Sequence, residues 1–420
     1  MKRIYHVILL ASFSLPALAF SQTNDYRLPF SAGYLLDESG NPDKCGFDPE
    51  LSERLLKTLG EHWGYGYDSL LVDLQGWQNS PYVTIDSIGA SVQNRAIWEL
   101  TITADTILLK PRRRVYIHAR THPGEVQSWW VTREMIHILL AEDEYSRSVR
   151  DSCVFHIVPM YNPDGVELEY PRENANGIDI ESNWNKYPVQ PEVAVLRKRF
   201  YELMTSGAPI EVALNMHSAY GTKRYFVYHD AAGTSADYAA LQRQFIEDTR
   251  AFFPGGIQPW SFFVSWKNGT ATQYPESWFW LNYRASVMAL TYEDMNDPSA
   301  GDFYRTAHAL VRGIMAYLNR KSTKVSTTVT PALSGMVLEQ NYPNPFNPVT
   351  TITYQLEQNA PVGIRIYDMQ GRERAVLFEG TQTAGRHSVT WDATGWPSGV
   401  YYIGMQAGTY RGIKQAVLVR

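Results

Sequence analysis

The chain has 420 residues, more than one domain usually needs, so two or three domains are the starting expectation. Hydrophobic residues make up 44% and charged residues 19%, an ordinary globular balance that excludes a wholly disordered polymer. The formal net charge of −5 excludes nucleic-acid binding driven by overall charge.

In chain order, the first feature is an export signal. Lys2 and Arg3 precede an apolar run, Ile8 to Phe13, and then Ala17-Leu18-Ala19. A basic start, a short apolar core and small residues at a cleavage point describe a secretory signal peptide over 1–21. The run is too short for a transmembrane helix, and no other segment reaches that length, so the mature chain is expected to carry none. Residues 22–64 are polar and punctuated by Gly and Pro, with one amphipathic stretch from Glu50 to Leu59, and no role is assigned to them. Cys45 and Cys153 cannot scaffold a chain of this size; one bridge and two free thiols both stay open.

From 65 to 319, apolar runs alternate with amphipathic stretches. Val115–Ala119, Cys153–Pro159, Ile210–Met216 and Ser286–Tyr292 read as buried strands, while Val126–Ala141 and Pro191–Thr205 carry apolar residues at helical spacing. The expectation is an α/β domain with a mixed central sheet flanked by helices. Residues 320–335 are Ser/Thr/Val-rich and read as a linker. From 336 to 420, short alternating segments predict strands at Thr350–Leu356, Val362–Tyr367, His387–Ala393, Val400–Ala407 and Gly412–Val419, with Gly371, Gly380, Gly385, Gly399 and Gly408 between or beside them. This predicts a small all-β, Ig-like sandwich.

The chemistry concentrates upstream. In His122-Pro123-Gly124-Glu125 an imidazole and a carboxylate stand three residues apart, after a buried strand and at the start of a helix. Residues at i and i+3 in a helical turn share a face, so both can reach one ion. Taken alone, this pattern fits equally a surface His beside a helix-start Glu. Its context adds weight. His217 ends the run Ile210–Met216, and Glu293 ends the run Ser286–Tyr292. Three strands thus deliver His or Glu at their C-terminal ends, the edge where open α/β sheets bind ligands. Two His and one carboxylate leave a fourth position open, the catalytic pattern for zinc. His118 and His156 also lie in strands; position 121 is Thr, so His118 has no carboxylate at i+3, and both read as supporting residues.

With these motifs in place, residues 65–319 resemble the M14 family of zinc carboxypeptidases, nearer the bacterial and cytosolic branch, whose first ligand motif reads His-Pro-Gly-Glu. Ile88-Gly89-Ala90-Ser91 with Arg95, Pro159-Met-Tyr-Asn-Pro-Asp-Gly165 and Gly177-Ile178-Asp179 with Trp184 match in the family's order. The spacing from Glu125 to His217, 217 − 125 = 92, suits the shorter members. The resemblance implies one Zn2+ per chain on His122, Glu125 and His217, with Glu293 as general base and Arg172 stabilising the oxyanion. Tyr274 falls where the family has a substrate-contacting tyrosine, and Asp179 is a candidate to support a ligating histidine.

One departure stands out. Where the family reads Leu-Asn-Arg-x after Asp179, this chain reads Ile180-Glu181-Ser182-Asn183. The Asn-Arg pair binds the substrate's terminal carboxylate, a task suited to a planar guanidinium. Ser182 cannot replace it, and Glu181 would repel a carboxylate. Either Lys186, Lys223 or Arg224 takes over the anchoring, or the substrate offers another group there, which Glu181 and Ser182 then meet.

The segment 336–420 resembles a type IX secretion (type A) C-terminal sorting domain, through Asn341-Tyr-Pro-Asn-Pro-Phe-Asn-Pro348, Ile366-Tyr367-Asp368-x-x-Gly371, Gly399-Val-Tyr-Tyr402 and Ala416-Val-Leu-Val-Arg420. That resemblance implies bacterial type IX secretion machinery as a partner and export through periplasm and outer membrane, to the surface or the medium. The combined expectation is a secreted zinc metallocarboxypeptidase acting on peptides. The alternatives are an amidase acting on cell-wall peptides or modified substrates and a non-catalytic surface binding protein.

Overall fold

A computed structural model describes residues 49–104, 112–186, 189–325, 337–356, 358–368, 372–408 and 410–419. The expected export signal, Cys45 and residues 326–335 of the expected linker lie outside the described residues.

The chain begins with helices α1 (Pro49–Leu59) and α2 (Tyr67–Trp77) and a strand pair, β1 (Val83–Ala90) and β2 (Ala96–Ile102). There follow β3 (Arg113–Ala119), α3 (Val126–Leu140), α4 (Glu144–Ser152), β4 (Cys153–Val158), α5 (Pro163–Glu167), α6 (Pro191–Thr205) and β5 (Ile210–Ala219). The domain closes with β6 (Tyr225–Phe226), β7 (Tyr228–His229), α7 (Ala236–Ala251), β8 (Val264–Ser265), α8 (Pro275–Tyr283), β9 (Met288–Met295) and α9 (Phe303–Val325). The main sheet has the order β1-β2-β4-β3-β5-β9-β6. Its central strands β4, β3, β5 and β9 run parallel, and β1, β2 and β6 add antiparallel edges.

Side chains alternate across a strand, so the apolar runs load both faces. On one face, Val115, Ile117, Val212, Leu214, Met216, Met288 and Leu290 pack with residues of α3, α7 and α9. On the other, Tyr116, Ala213 and Ala289 pack under Val193, Leu196 and Phe200 of α6, spaced three and four apart along the helix. This is the helix–sheet–helix layering that alternating strand and helix patterns anticipate.

The downstream strands are β10 (Val337–Leu338), β11 (Val349–Leu356), β12 (Ala360–Tyr367), β13 (Glu373–Gln382), β14 (Gly385–Asp392), β15 (Gly399–Ala407) and β16 (Tyr410–Leu418). They form two antiparallel sheets, β10-β11-β14 and β13-β12-β15-β16, sharing a core that includes Ile352, Tyr354, Ile364, Trp391 and Ile403. The expected sandwich is present.

Four features differ from the expectation. Helix α9 continues to Val325, into the segment read as linker from 320. A helix already nucleated propagates at small cost per residue, even through Ser and Thr. Residues 49–64 do not stand apart, because Leu55 and Trp63 join the main apolar core. The β1–β2 pair holds the stretch around Ile88 and Ser91 that resembled a motif. Strand β13 is a sheet edge whose residues are largely exposed or half-buried, so burial imposes no clean alternation on it.

Candidate metal centre

The face of the main sheet that packs under α6 changes character along β5 and β9. On β5 it reads Ala213, Asn215, His217, and on β9 Ala289, Thr291, Glu293. The parallel register sets Asn215 beside Thr291 and His217 beside Glu293. Apolar packing therefore gives way to polar chemistry at the C-terminal edge, where His217 and Glu293 stand on adjacent strands, both fully buried.

The third contribution comes from the loop after β3, which a polar buckle holds in place. Tyr161 and Asn162 donate from their main-chain N–H groups to the carbonyls of Ala119 (3.0 Å) and Arg120 (3.1 Å). The Asn162 amide donates to the carbonyls of Thr121 (3.1 Å) and Glu173 (3.0 Å). One side chain thus ties the loop carrying His122 to the loop carrying Arg172. Asp164 takes Ser91 Oγ at 2.8 Å, the Gln93 N–H at 2.6 Å and Arg95 at 2.7 Å, so the matching stretches around Ser91 and Asp164 form one structural joint. Gly165 sits at the crowded centre; a Cβ there would meet Glu173 O at 2.3 Å and Pro123 Cγ at 2.6 Å. Gly165→Ala is expected to destabilise the fold by roughly 1–3 kcal/mol and to reduce bound metal, which melting temperature and metal content would report. Unchanged values would show that the loops absorb the methyl freely.

At the centre, the atoms converge. His122 Nδ1 lies 2.7 Å from Glu125 Oε1, and His217 Nδ1 lies 2.8 Å from Glu125 Oε2. The two Nδ1 atoms are 3.2 Å apart. Donor atoms of all three residues fall within 4.8 Å of one another, the compactness expected of ligands to one ion. The outer nitrogens meet further carboxylates. His122 Nε2 is 3.1 Å from Asp179 Oδ1, and His217 Nε2 is 3.3 Å from Glu181 Oε2. Arg172 donates to Asp179 Oδ2 from Nε (3.3 Å) and Nη2 (3.1 Å), and its Nη1 lies 3.9 Å from Glu125 Oε1.

The electrostatics suit a cation. Burial pushes the His217 imidazole towards its neutral form, but Glu125 and Glu181 outweigh it and raise its pKa well above the ordinary value. Burial and Arg172 lower that of His122, yet Glu125 and Asp179 leave it raised. Burial raises the Glu125 carboxyl, but the two imidazoles hold it well below the usual carboxylate range. Carboxylates thus outnumber positive groups around a dry pair of imidazoles, and the donor set of two nitrogens and one carboxylate fits zinc.

Other expected residues fall differently. Glu181 was expected to face the substrate; its carboxylate is 1% exposed, held by the Asn215 amide at 3.0 and 3.1 Å and turned towards His217. Ser182 stays half-buried, with Oγ donating to Asp179 O at 3.4 Å. Tyr274, expected against the substrate, is buried in the main apolar core at the start of α8. Of the candidate anchors, Arg224 is buried and donates to Asp294 Oδ2 at 3.0 Å, while Lys186 and Lys223 are exposed. His156 lies away from the cluster, with Nδ1 2.9 Å from Glu99. The sequence reading missed Asn215 and Glu276. The Asn215 amide also reaches Glu276 Oε1 at 3.0 Å, and Thr291 donates to that oxygen at 2.6 Å. Asn215 stands two residues before His217 on the same strand face, which was the available signal.

Residues 71–251 match the family described as zinc carboxypeptidase, peptidase family M14. Over those residues, under half of the chain, the sequence is similar to M14 zinc carboxypeptidases. The matched residues take in every site residue expected from the sequence except Tyr274 and Glu293. Residues 340–419 match the secretion system C-terminal sorting domain. Similar curated proteins include cytosolic carboxypeptidase 6 of Mus musculus, 36% identical over 109 residues, which are 26% of this chain and 20% of the relative. Human cytosolic carboxypeptidase 4 is 29% identical over 185 residues, 40% of this chain and 17% of the relative. The chain therefore spans about a fifth of the length of these relatives. In fold, the chain is similar to a metallo-carboxypeptidase from Burkholderia cenocepacia, with a TM-score of 0.53 and 20% identity over 61% of this chain and 70% of that one. No helix among the described residues is long and apolar enough to cross a membrane.

Proposed function

We propose that the protein is an exported zinc metallopeptidase that hydrolyses peptide bonds, with His122, Glu125 and His217 holding one Zn2+ per chain. The observation that carries this is the convergence of the two Nδ1 atoms on Glu125, with Glu293 in register beside His217. A zinc ion there supplies Lewis acidity that makes water a competent nucleophile at neutral pH. Glu293 takes the proton of the attacking water and passes it to the leaving amine. Arg172, poised beside Glu125 and Asp179, stabilises the developing oxyanion with fixed positive charge. Asp179 orients His122 through its outer nitrogen.

A carboxypeptidase is the first reading of the substrate class. The second, a substrate without a free terminal carboxylate, is favoured by particular side chains. Ser182 is too short to bind a carboxylate through two bonds, Glu181 is turned to His217, and Arg224 already meets Asp294. Purified protein stripped with a chelator is expected to lose hydrolysis and regain it with zinc. On peptides with free and amidated C-termini and on muropeptides, cleavage confined to free-carboxylate peptides supports the first reading; activity that survives complete zinc removal overturns both.

The sorting domain points to export. We take the partner to be the type IX secretion machinery and the destination to be the cell surface or medium. The proposed units are a signal peptide at 1–21, an M14 domain over 65–319 joined by residues 49–64, and a sorting domain over 336–420. Deleting 336–420 is expected to leave the protein inside the outer membrane, as fractionation would show.

A further inference from the structure

We infer that Glu181 is a positioning residue for the metal: it braces His217 through the outer imidazole nitrogen and does not meet the substrate. This rests on the reading of His122, Glu125 and His217 as a metal centre. Three residues, Asp179-Ile180-Glu181, form a two-pronged support. Ile180 is fully buried in the apolar cluster with Trp184 and Phe200. The two acidic side chains flanking that anchor reach different imidazoles, Asp179 at 3.1 Å from His122 Nε2 and Glu181 at 3.3 Å from His217 Nε2. The Glu181 N–H donates to Asp179 Oδ1 at 2.9 Å, so one bond sets the two prongs relative to each other.

The chemistry follows from the two nitrogens of imidazole. A carboxylate at Nε2 keeps the proton there and leaves the Nδ1 lone pair facing the ion, and it makes that lone pair more basic. The cluster needs both effects, because both Nδ1 atoms point at Glu125. A substrate role for Glu181 would require its carboxylate to face the cleft. Instead both oxygens are taken by the Asn215 amide, and one also approaches His217, at 1% exposure. In this chain, the position where the family binds the substrate's carboxylate has been turned to support of the metal.

The test is zinc affinity, read by competition with a chromophoric chelator, in Glu181→Gln, Glu181→Leu, His217→Ala and the Glu181→Gln/His217→Ala double variant. Zinc affinity is expected to fall roughly 10–100-fold in Glu181→Gln and further in Glu181→Leu, while KM at saturating zinc stays within about twofold. The visible spectrum of the cobalt-substituted protein is expected to shift in Glu181→Gln, which a remote packing role would not produce. In the His217→Ala background, Glu181→Gln is expected to cause little further loss, because it acts through that imidazole. Unchanged zinc affinity in Glu181→Gln, an equal loss in both backgrounds, or a KM effect with normal zinc binding would each overturn the inference. If His217→Ala itself binds zinc normally, the metal-centre reading fails instead.

Discussion

Glu293→Gln is expected to lower turnover about 100- to 10,000-fold while bound zinc stays near one per chain. Glu293 is fully buried and stands in register with His217 on the neighbouring parallel strand, on the polar end of the face that carries Asn215 and Thr291. A group placed beside a ligand, yet outside the compact donor set of His122, Glu125 and His217, is positioned to handle protons. Glutamine keeps the volume and shape but cannot accept a proton, so the variant separates chemistry from packing. Metal analysis and kcat on the same preparation check it. Turnover within a few-fold of the parent would remove Glu293 from the reaction, and loss of zinc would make it a ligand.

His217→Ala is expected to weaken zinc binding by roughly two to three orders of magnitude. A tightly held zinc ion is worth about 10–16 kcal/mol, and one of four ligand positions carries roughly a quarter of that. The substitution also takes one imidazole partner from Glu181 and Glu125, both buried and each within 3.3 Å of it. Removing a charge partner from a buried carboxylate is costly. Folding stability is therefore expected to fall along with metal affinity, visible as a lower melting temperature of the zinc-loaded protein. A normal zinc titration would show that His217 is not a ligand.

Much of the catalytic reading was legible in the chain because its signals are local. His122 and Glu125 are three residues apart in one turn, and the apolar runs before His217 and Glu293 mark buried strands that carry those residues near their C-terminal ends. Period-two and period-3.6 patterns reflect contacts between near neighbours and one core, so they place strands β3, β5 and β9 and helices α3 and α6 within three residues. The alternation failed at β13, which has no core to answer to on one edge, and at α9, where helix propagation overrode a Ser/Thr-rich composition.

Residue types at strand ends determined by themselves that a donor set able to hold a metal and a buried carboxylate would share one sheet edge. Tertiary structure alone decided where Glu181 points. The substitution of Glu181-Ser182 for an Asn-Arg pair announces a change, but its meaning depends on a loop anchored by Ile180 in one cluster and on an amide, Asn215, that lies 215 − 181 = 34 residues downstream. The same holds for Tyr274, which the core claims, and for Arg224, which Asp294 claims. Side-chain direction from a loop is set by packing and pairing with residues remote in sequence, and no local period encodes those contacts.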